Sequence, residues 1–267
     1  MDRLSKGVII PVSVLLVVGL LSTTGATSSF RKRLHQVNKE NLQYATDEDI
    51  KAELVFGRSL AARILGRYPL LKDKKLTRYI NLVGKSIARY AARPEIEFHF
   101  GVLDTPAVNA LSTPGGYVFV TRGALEIMDD EAELAGVLAH EIAHIRERHI
   151  VKEINLQAPE TSPVSGLATL LGGTTGTAEA VFSTLVDKAY EILFERGYKR
   201  QDELSADRIA TELIYFAGYD PTGLLRFLKK VPADKENFKN FQGTHPGIKE
   251  RIKSIDKFLI SNHITNP

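Results

Sequence analysis

Apolar positions recur along this chain in two rhythms, one helical and one alternating. Val8 to Leu21 is apolar apart from Pro11, Ser13 and Gly19, and residues 22–45 are polar. Thr46 then opens a helix, with Asp49 three residues on as a weak capping box. Leu76, Tyr79, Ile80, Val83, Ile87 and Tyr90 fall at helical spacing and predict a second, amphipathic helix. Ile96, Phe98, Phe100 and Val102 alternate, which is strand behaviour. Pro114-Gly115-Gly116 reads as a turn into a second strand, Tyr117–Thr121. From Glu131 to Leu156 there is no Pro and no Gly except Gly136, so one long helix is predicted. Residues 157–177 are rich in Gly, Thr, Ser and Pro and read as a flexible link, either a lid or an ordinary surface loop. Ala178–Phe216 predicts another long helix, interrupted only by Gly197 and ended by Gly218 and Pro221. Two short helices, near 222–231 and 247–262, close the chain. Helices, then a small sheet, then helices predict a mainly helical α+β fold.

The 267 residues are 43% hydrophobic and 25% charged, enough to bury a real core. A net charge of +3, with no long run of lysine and arginine, sets nucleic-acid binding aside. Cysteine is absent, which excludes disulfides, a cysteine nucleophile and cysteine metal ligands. Any soft-metal site must use histidine and carboxylate. At the N-terminus, Arg3 and Lys6 precede the apolar run, and Ser22 to Ala26 are small. This is the layout of a secretory signal, removed or retained as an anchor. Arg31, Lys32 and Arg33 cut against simple export, because the positive-inside rule favours them on the cytoplasmic side.

His140-Glu141-Ile142-Ala143-His144 is an HExxH motif. Residues four apart on a helix differ by about 40° around its axis, so both imidazoles face one way and can supply two corners of a zinc tetrahedron. Glu141, turned by about 100°, reaches a water beside the metal. Leu134, Val137, Leu138, Ile142 and Ile145 bury this helix, and buried ionisable groups need a partner. The third ligand must come from elsewhere. His149, nine residues after His140, falls about half a turn away on an unbroken helix, as a surface or packing residue. Glu203 and Asp207, also four apart, share a face: one can bind metal and the other can orient a ligand histidine. By spacing alone, Asp202, Glu203 and Asp207 read equally well as a solvated acidic face. Gly243-Thr244-His245-Pro246-Gly247 reads as a turn, with Arg251 on the helix that follows; by spacing alone this is a capping turn and a surface arginine.

Several of these segments together resemble the HtpX-like and CAAX-prenyl-endopeptidase-like gluzincin metallopeptidases, nearest to their soluble exported BepA-like members. The resemblance runs from about Leu54 to Arg251. It is carried by Asn109-Ala110, Pro114 to Gly123, Glu133 to Glu141, Glu203 with Ala206-Asp207, Gly218 to Pro221 and Thr244-His245-Pro246. It implies a zincin-type fold with one zinc, held by His140, His144 and Glu203, with Asp207 behind a ligand and Glu141 as general base. It also implies that His245 and Arg251 lie near metal and substrate as catalytic residues that orient the substrate carbonyl and steady the oxyanion, unless His245 instead closes the idle site. Asn109, Gly116, Tyr117, Val118 and Phe119 correspond to an edge-strand segment on which an extended protein or peptide substrate would lie. The multiple membrane spans of the HtpX and prenyl-protease branches are not found here, so prenylated peptides are not expected as substrates. No tetratricopeptide repeat follows His245 in these residues.

The expectation is a zinc endopeptidase acting on extended or misfolded envelope proteins. It consists of a signal or anchor (1–26), a polar linker (27–45) and one metallopeptidase domain (46–267), extracytoplasmic and membrane-associated if the anchor is retained. Two alternatives stand beside it: an envelope assembly or chaperone-like factor with a structural zinc, and a zinc aminopeptidase.

Overall fold

The computed structural model describes residues 47–155, 176–231, 247–262 and 264. The expectations for residues 1–46, for nearly all of the 157–177 link and for His245 lie outside them. The structure is mostly helical around a three-stranded sheet. Helix α1, Asp47–Arg67, opens on Asp47, Glu48 and Asp49, whose charges suit a helix N-terminus. Helix α2, Lys74–Ala88, is capped by the Asp73 carboxylate, which accepts from the backbone N–H groups of Lys75 and Leu76. It buries Ile80, Val83 and Ile87, the apolar stripe read from the sequence.

Strands β1 (His99–Leu103), β2 (Ala110–Thr113) and β3 (Tyr117–Thr121) form a sheet in the order β1-β3-β2. β1 runs parallel to β3, and β2 pairs antiparallel to it. The β2–β3 hairpin turns at Gly115 and Gly116, with φ of 77° and 96°. This order corrects the expected edge strand. Tyr117, Val118 and Phe119 lie on the central strand with neighbours on both sides, and the Gly116 carbonyl accepts from His99 N–H at 2.9 Å. Their backbone groups are already paired and cannot receive a further strand. The sheet edge near the HExxH helix is β2, four buried residues too short to show alternation. The outer edge of β1 is closed instead: Leu71 N–H donates to Val102 O, and the Asn81 side chain bonds both backbone groups of Phe100.

Helix α3, Arg122–Glu126, is capped by Thr121 and leads to α4, Glu131–Arg146. Asp130 caps α4, and every residue from Glu133 to Arg146 is buried. A second correction follows. The predicted single helix breaks after Arg146, because Arg148 adopts a φ of 55° and a separate helix, α5, runs His149–Asn155. Likewise α6 (Gly176–Glu191) passes through a widened turn, Ile192–Arg196, to Gly197 at φ 73°, and α7 (Arg200–Phe216) starts anew. Helices α8 (Gly223–Lys230) and α9 (Ile248–Ser261) follow. α8 crosses α4 at two glycines: a Cβ on Gly136 would lie 2.4 Å from Leu224 N, and one on Gly223 would lie 2.0 Å from Ala132 O. Among the described residues no helix is long and apolar enough to cross a membrane.

Two glycines of α1 give opposite expectations for one substitution. A Cβ on Gly57 would sit 1.5 Å from the Pro114 carbonyl, whereas Gly66 has nothing within 4 Å. Gly57→Ala should therefore cost about 1–3 kcal/mol or more through overpacking. Gly66→Ala should be neutral or stabilise by up to about 1 kcal/mol through helix propensity. Urea denaturation of the two variants tests both; equal shifts would mean that α1 does not press on the hairpin.

Candidate metal centre

α4 passes His140 and His144 through the core with 4% and 2% of their surfaces exposed. Their Nε2 atoms lie 3.0 Å apart. α7 packs alongside and brings up Glu203, 1% exposed, with Oε2 3.5 Å from His140 Nε2 and Oε1 3.6 Å from His144 Nε2. The ligand atoms of these three residues all lie within 4.8 Å of one another, the one such group among the described residues. Ligands about 2.0–2.1 Å from a tetrahedral ion would stand roughly 3.3 Å apart, so the spacing suits a small divalent ion, and two imidazoles with a carboxylate suit zinc. Charge agrees. Glu141, Glu203 and Asp207 are buried with one guanidinium, that of Arg251, leaving two negative charges that a divalent cation would balance.

The surrounding groups orient these side chains. Asp207 Oδ1 accepts from His140 Nδ1 at 3.0 Å, leaving Nε2 to face the other donors. Arg251, on α9, donates from Nε and Nη2 to the two Asp207 oxygens at 2.8 and 2.6 Å, and its Nη1 lies 3.1 Å from Glu203 Oε2. Its charge is thus engaged by the two carboxylates. Asp207 is held below the usual carboxylate range: burial opposes ionisation, but the Arg251 charge and the hydrogen bonds from Arg251 and His140 outweigh it. On the sheet side of α4, Ser112 of β2 donates to Glu141 Oε2 at 2.9 Å. Tyr198 stacks on His144 with ring centres 4.0 Å apart and planes 21° from parallel. Burial, then the charges of Glu141, Glu203 and Asp202, push its phenol well above the usual value, so it stays neutral. His149 Nδ1 lies 2.9 Å from His144 Nδ1. Burial and the Lys152 charge push His149 down to about 3, so it too is neutral. A cleft of about 90 Å³ beside these groups is lined by Asn109, Ala110, His140, Glu141, Phe227 and Arg251, among others. A larger open groove of about 720 Å³, from Leu71 to Lys85, contains none of them.

The pattern of Peptidase family M48 matches residues 74–259. The chain belongs to peptidase family M48. It therefore carries a metallopeptidase domain of zincin-like fold, consistent with its helix-borne His-His-Glu group. It is 30% identical over 198 residues to the "Beta-barrel assembly-enhancing protease" of Escherichia coli, covering 68% of this chain and 38% of that protein. It is 30% identical over 186 residues to the "Mitochondrial metalloendopeptidase OMA1" of Schizosaccharomyces pombe, covering 68% of this chain and 53% of that one. The bovine OMA1 is 28% identical over 172 residues, 62% of this chain and 33% of the relative. The chain thus spans between about a third and about a half of these relatives' lengths.

The fold gathers His140, Glu141, His144, Glu203, Asp207, Arg251 and Asn109 at one place, and it leaves Tyr117, Val118 and Phe119 on the central strand and Gly116 in the hairpin turn before it. Sequence reasoning missed Ser112 and Tyr198 and turned His149 the wrong way. A helix wheel extended past Arg146 puts His149 half a turn from His140, but the left-handed Arg148 folds it back onto His144 at 4% exposure. Only long-range packing discloses these three.

In the metal-free chain His140 is pushed up to about 9. Burial and the Arg251 charge work against the imidazolium, but hydrogen bonds to Asp207 and Glu203 and the Asp207 charge prevail. A histidine raised above its unfolded value of about 6.5 gives stability that is complete below that value and lost as pH rises through the folded value. A metal needs the same nitrogen unprotonated. With chelator present, the melting temperature should therefore fall between about pH 6.5 and 9. With saturating zinc this fall should vanish. Identical pH profiles with and without zinc would place the metal elsewhere.

Proposed function

We propose that this chain is a zinc-dependent endopeptidase that hydrolyses peptide bonds in extended or misfolded segments of envelope proteins. The observation that carries the reading is the convergence of two imidazoles and a carboxylate within 4.8 Å, with Glu141 beside them and the β2 edge alongside. His140, His144 and Glu203 are assigned as the ligands of one zinc. When bound, zinc supplies Lewis acidity to a water and to the scissile carbonyl. Glu141 is the general base. It takes a proton from the water on Oε1 as the water oxygen bonds to the carbonyl carbon, and it returns the proton to the departing nitrogen as the C–N bond breaks. Ser112, donating to Oε2, holds this carboxylate in place. Asp207 fixes His140, and Arg251 holds Asp207 and Glu203 together, a positioning role rather than contact with the substrate carbonyl.

The substrate strand is reassigned to β2. Thr121 N–H donates to Asn109 O, so the alternation of an antiparallel pair turns the backbone groups of Ala110 and Ser112 away from β3. There the Ala110 N–H already donates to Asn109 Oδ1 at 2.9 Å, and Ser112 is the residue at which an added strand would pair. An extended chain added there would read backbone more than side chains, which favours unfolded segments. Asn109 lines the cleft at the start of this edge. The relatives are named as proteases, one of them assembly-enhancing, in line with a role in envelope quality control. We place the chain outside the cytoplasm on the layout of residues 1–26, cleaved or retained as an anchor. A purely structural zinc would need no base. The buried, serine-held Glu141 therefore speaks against the non-proteolytic alternative.

The decisive experiment is digestion of unfolded casein by the full chain, with and without chelator, beside Glu141→Gln. Glutamine keeps the shape but takes no proton, so the rate should fall at least about 100-fold with zinc still bound. Cleavage at the wild-type rate would remove the base assignment. Ser112→Ala probes the support of that base. It should lower kcat by roughly tenfold, a loss of about 1.4 kcal/mol, with KM and zinc content little changed. An unaltered kcat would show that Glu141 needs no anchor on β2.

A further inference from the structure

The break after α4 places a non-glycine residue, Arg148, at φ 55°, a conformation that L-residues seldom adopt without support. A buried ion network supplies the support. Arg148 Nε lies 3.0 Å from Glu53 Oε2, and Arg93 Nη2 lies 3.0 Å from both oxygens of the same carboxylate. Arg93 also donates from Nη1 to the Ile145 carbonyl at 2.9 Å, closing the last turn of α4. Glu53 and Arg93 are 1% and 3% exposed, so the network is sealed from water. Its effect is to stop α4 and start α5 at His149, folded back under the site.

We propose that His149 is a positioning residue for His144: it accepts a hydrogen bond from His144 Nδ1–H and so fixes the tautomer that turns the Nε2 lone pair toward the metal. This rests on the reading of His140, His144 and Glu203 as the metal site. His144 Nε2 is the atom facing His140 and Glu203, at 3.0 and 3.6 Å. A neutral imidazole that offers Nε2 as ligand carries its proton on Nδ1. The Nδ1 of His149, 2.9 Å away, must then be the acceptor, with the His149 proton on Nε2. That nitrogen faces Asp202 Oδ1 at 3.7 Å, a carboxylate that favours a proton on this side of the ring. Tyr198, stacked on His144, holds the plane of the ring while His149 sets its rotation.

The two ligand histidines therefore have unlike supports. His140 leans on a carboxylate, Asp207, which strengthens an imidazole as a donor. His144 leans on an uncharged ring. A second carboxylate there would put a fourth negative charge among Glu141, Glu203 and Asp207, all at most 1% exposed. A neutral acceptor orients the ligand without that cost.

Substitutions at His149 separate orientation from mere packing. Asparagine places its Oδ1 near the position of Nδ1, glutamine reaches toward the position of Nε2, and leucine has no acceptor. Zinc affinity of the full chain is measured by competition with a chelating indicator, alongside the melting temperature of the zinc-free protein. His149→Leu and His149→Gln should weaken zinc binding by about 10–100-fold, and His149→Asn should restore it to within roughly threefold of wild type. The zinc-free melting temperatures of the three variants should agree within a few degrees. If leucine fails to fold, the comparison of asparagine with glutamine, both polar, carries the test. Asparagine no better than glutamine, or leucine as tight as wild type, overturns the proposal. His144→Ala is the control. If it loses zinc while the His149 series stays flat, the metal site stands and the positioning role falls. If His144→Ala itself binds zinc like wild type, the site reading fails and this inference with it.

Discussion

Three carboxylates, Glu141, Glu203 and Asp207, lie buried within reach of one guanidinium, and withdrawing that much charge from water costs several kcal/mol per ion unless partners offset it. Much of the architecture answers this constraint. α4 must cross the middle of the core to hold His140, Glu141 and His144, and α7 must run beside it to bring Glu203 and Asp207. α9 must return to insert Arg251 between the two carboxylates of α7. The glycine contact between α4 and α8 draws a further helix close and helps to dry the site. Leu134, Leu138 and Ile142 alternate with the ionisable groups on α4, so the same helix is core and site at once.

The two sides of α4 do different work. One side gathers imidazoles and Glu203 around a common point; the other presents Glu141 to Ser112 on β2. Ser112 thus ties the β2 edge directly to the Glu141 carboxylate, although the two sit on different elements. Closing the β1 edge with Leu71 and Asn81 leaves β2 as the edge next to the site. Behind the site a separate buried network, Glu53 with Arg93 and Arg148, ends α4 and redirects the chain. The His-His-Glu group and the fold are thereby linked through Arg148, a residue outside that group.

The sequence by itself determined the helix-borne chemistry. His140, Glu141 and His144 were legible because residues four apart on a helix share a face whatever surrounds them, a consequence of backbone bonds between near neighbours. The amphipathic stripe of α2, the Pro114 to Gly116 turn and the mainly helical α+β class were legible for the same local reason. Glu203 and Asp207 were a shared face by spacing, and family likeness was needed to prefer them to a solvated acidic patch. Only the tertiary structure decided the rest. Which strand is central depends on β1 pairing parallel to β3 across intervening residues, and no local pattern encodes that order. The end of α4 depends on Glu53, some ninety residues earlier, holding Arg148 in a left-handed turn that no propensity favours. Ser112, His149 and Tyr198 acquire their places only when separate elements close around α4, because burial and hydrogen-bond geometry belong to the packed chain and not to any one stretch of it.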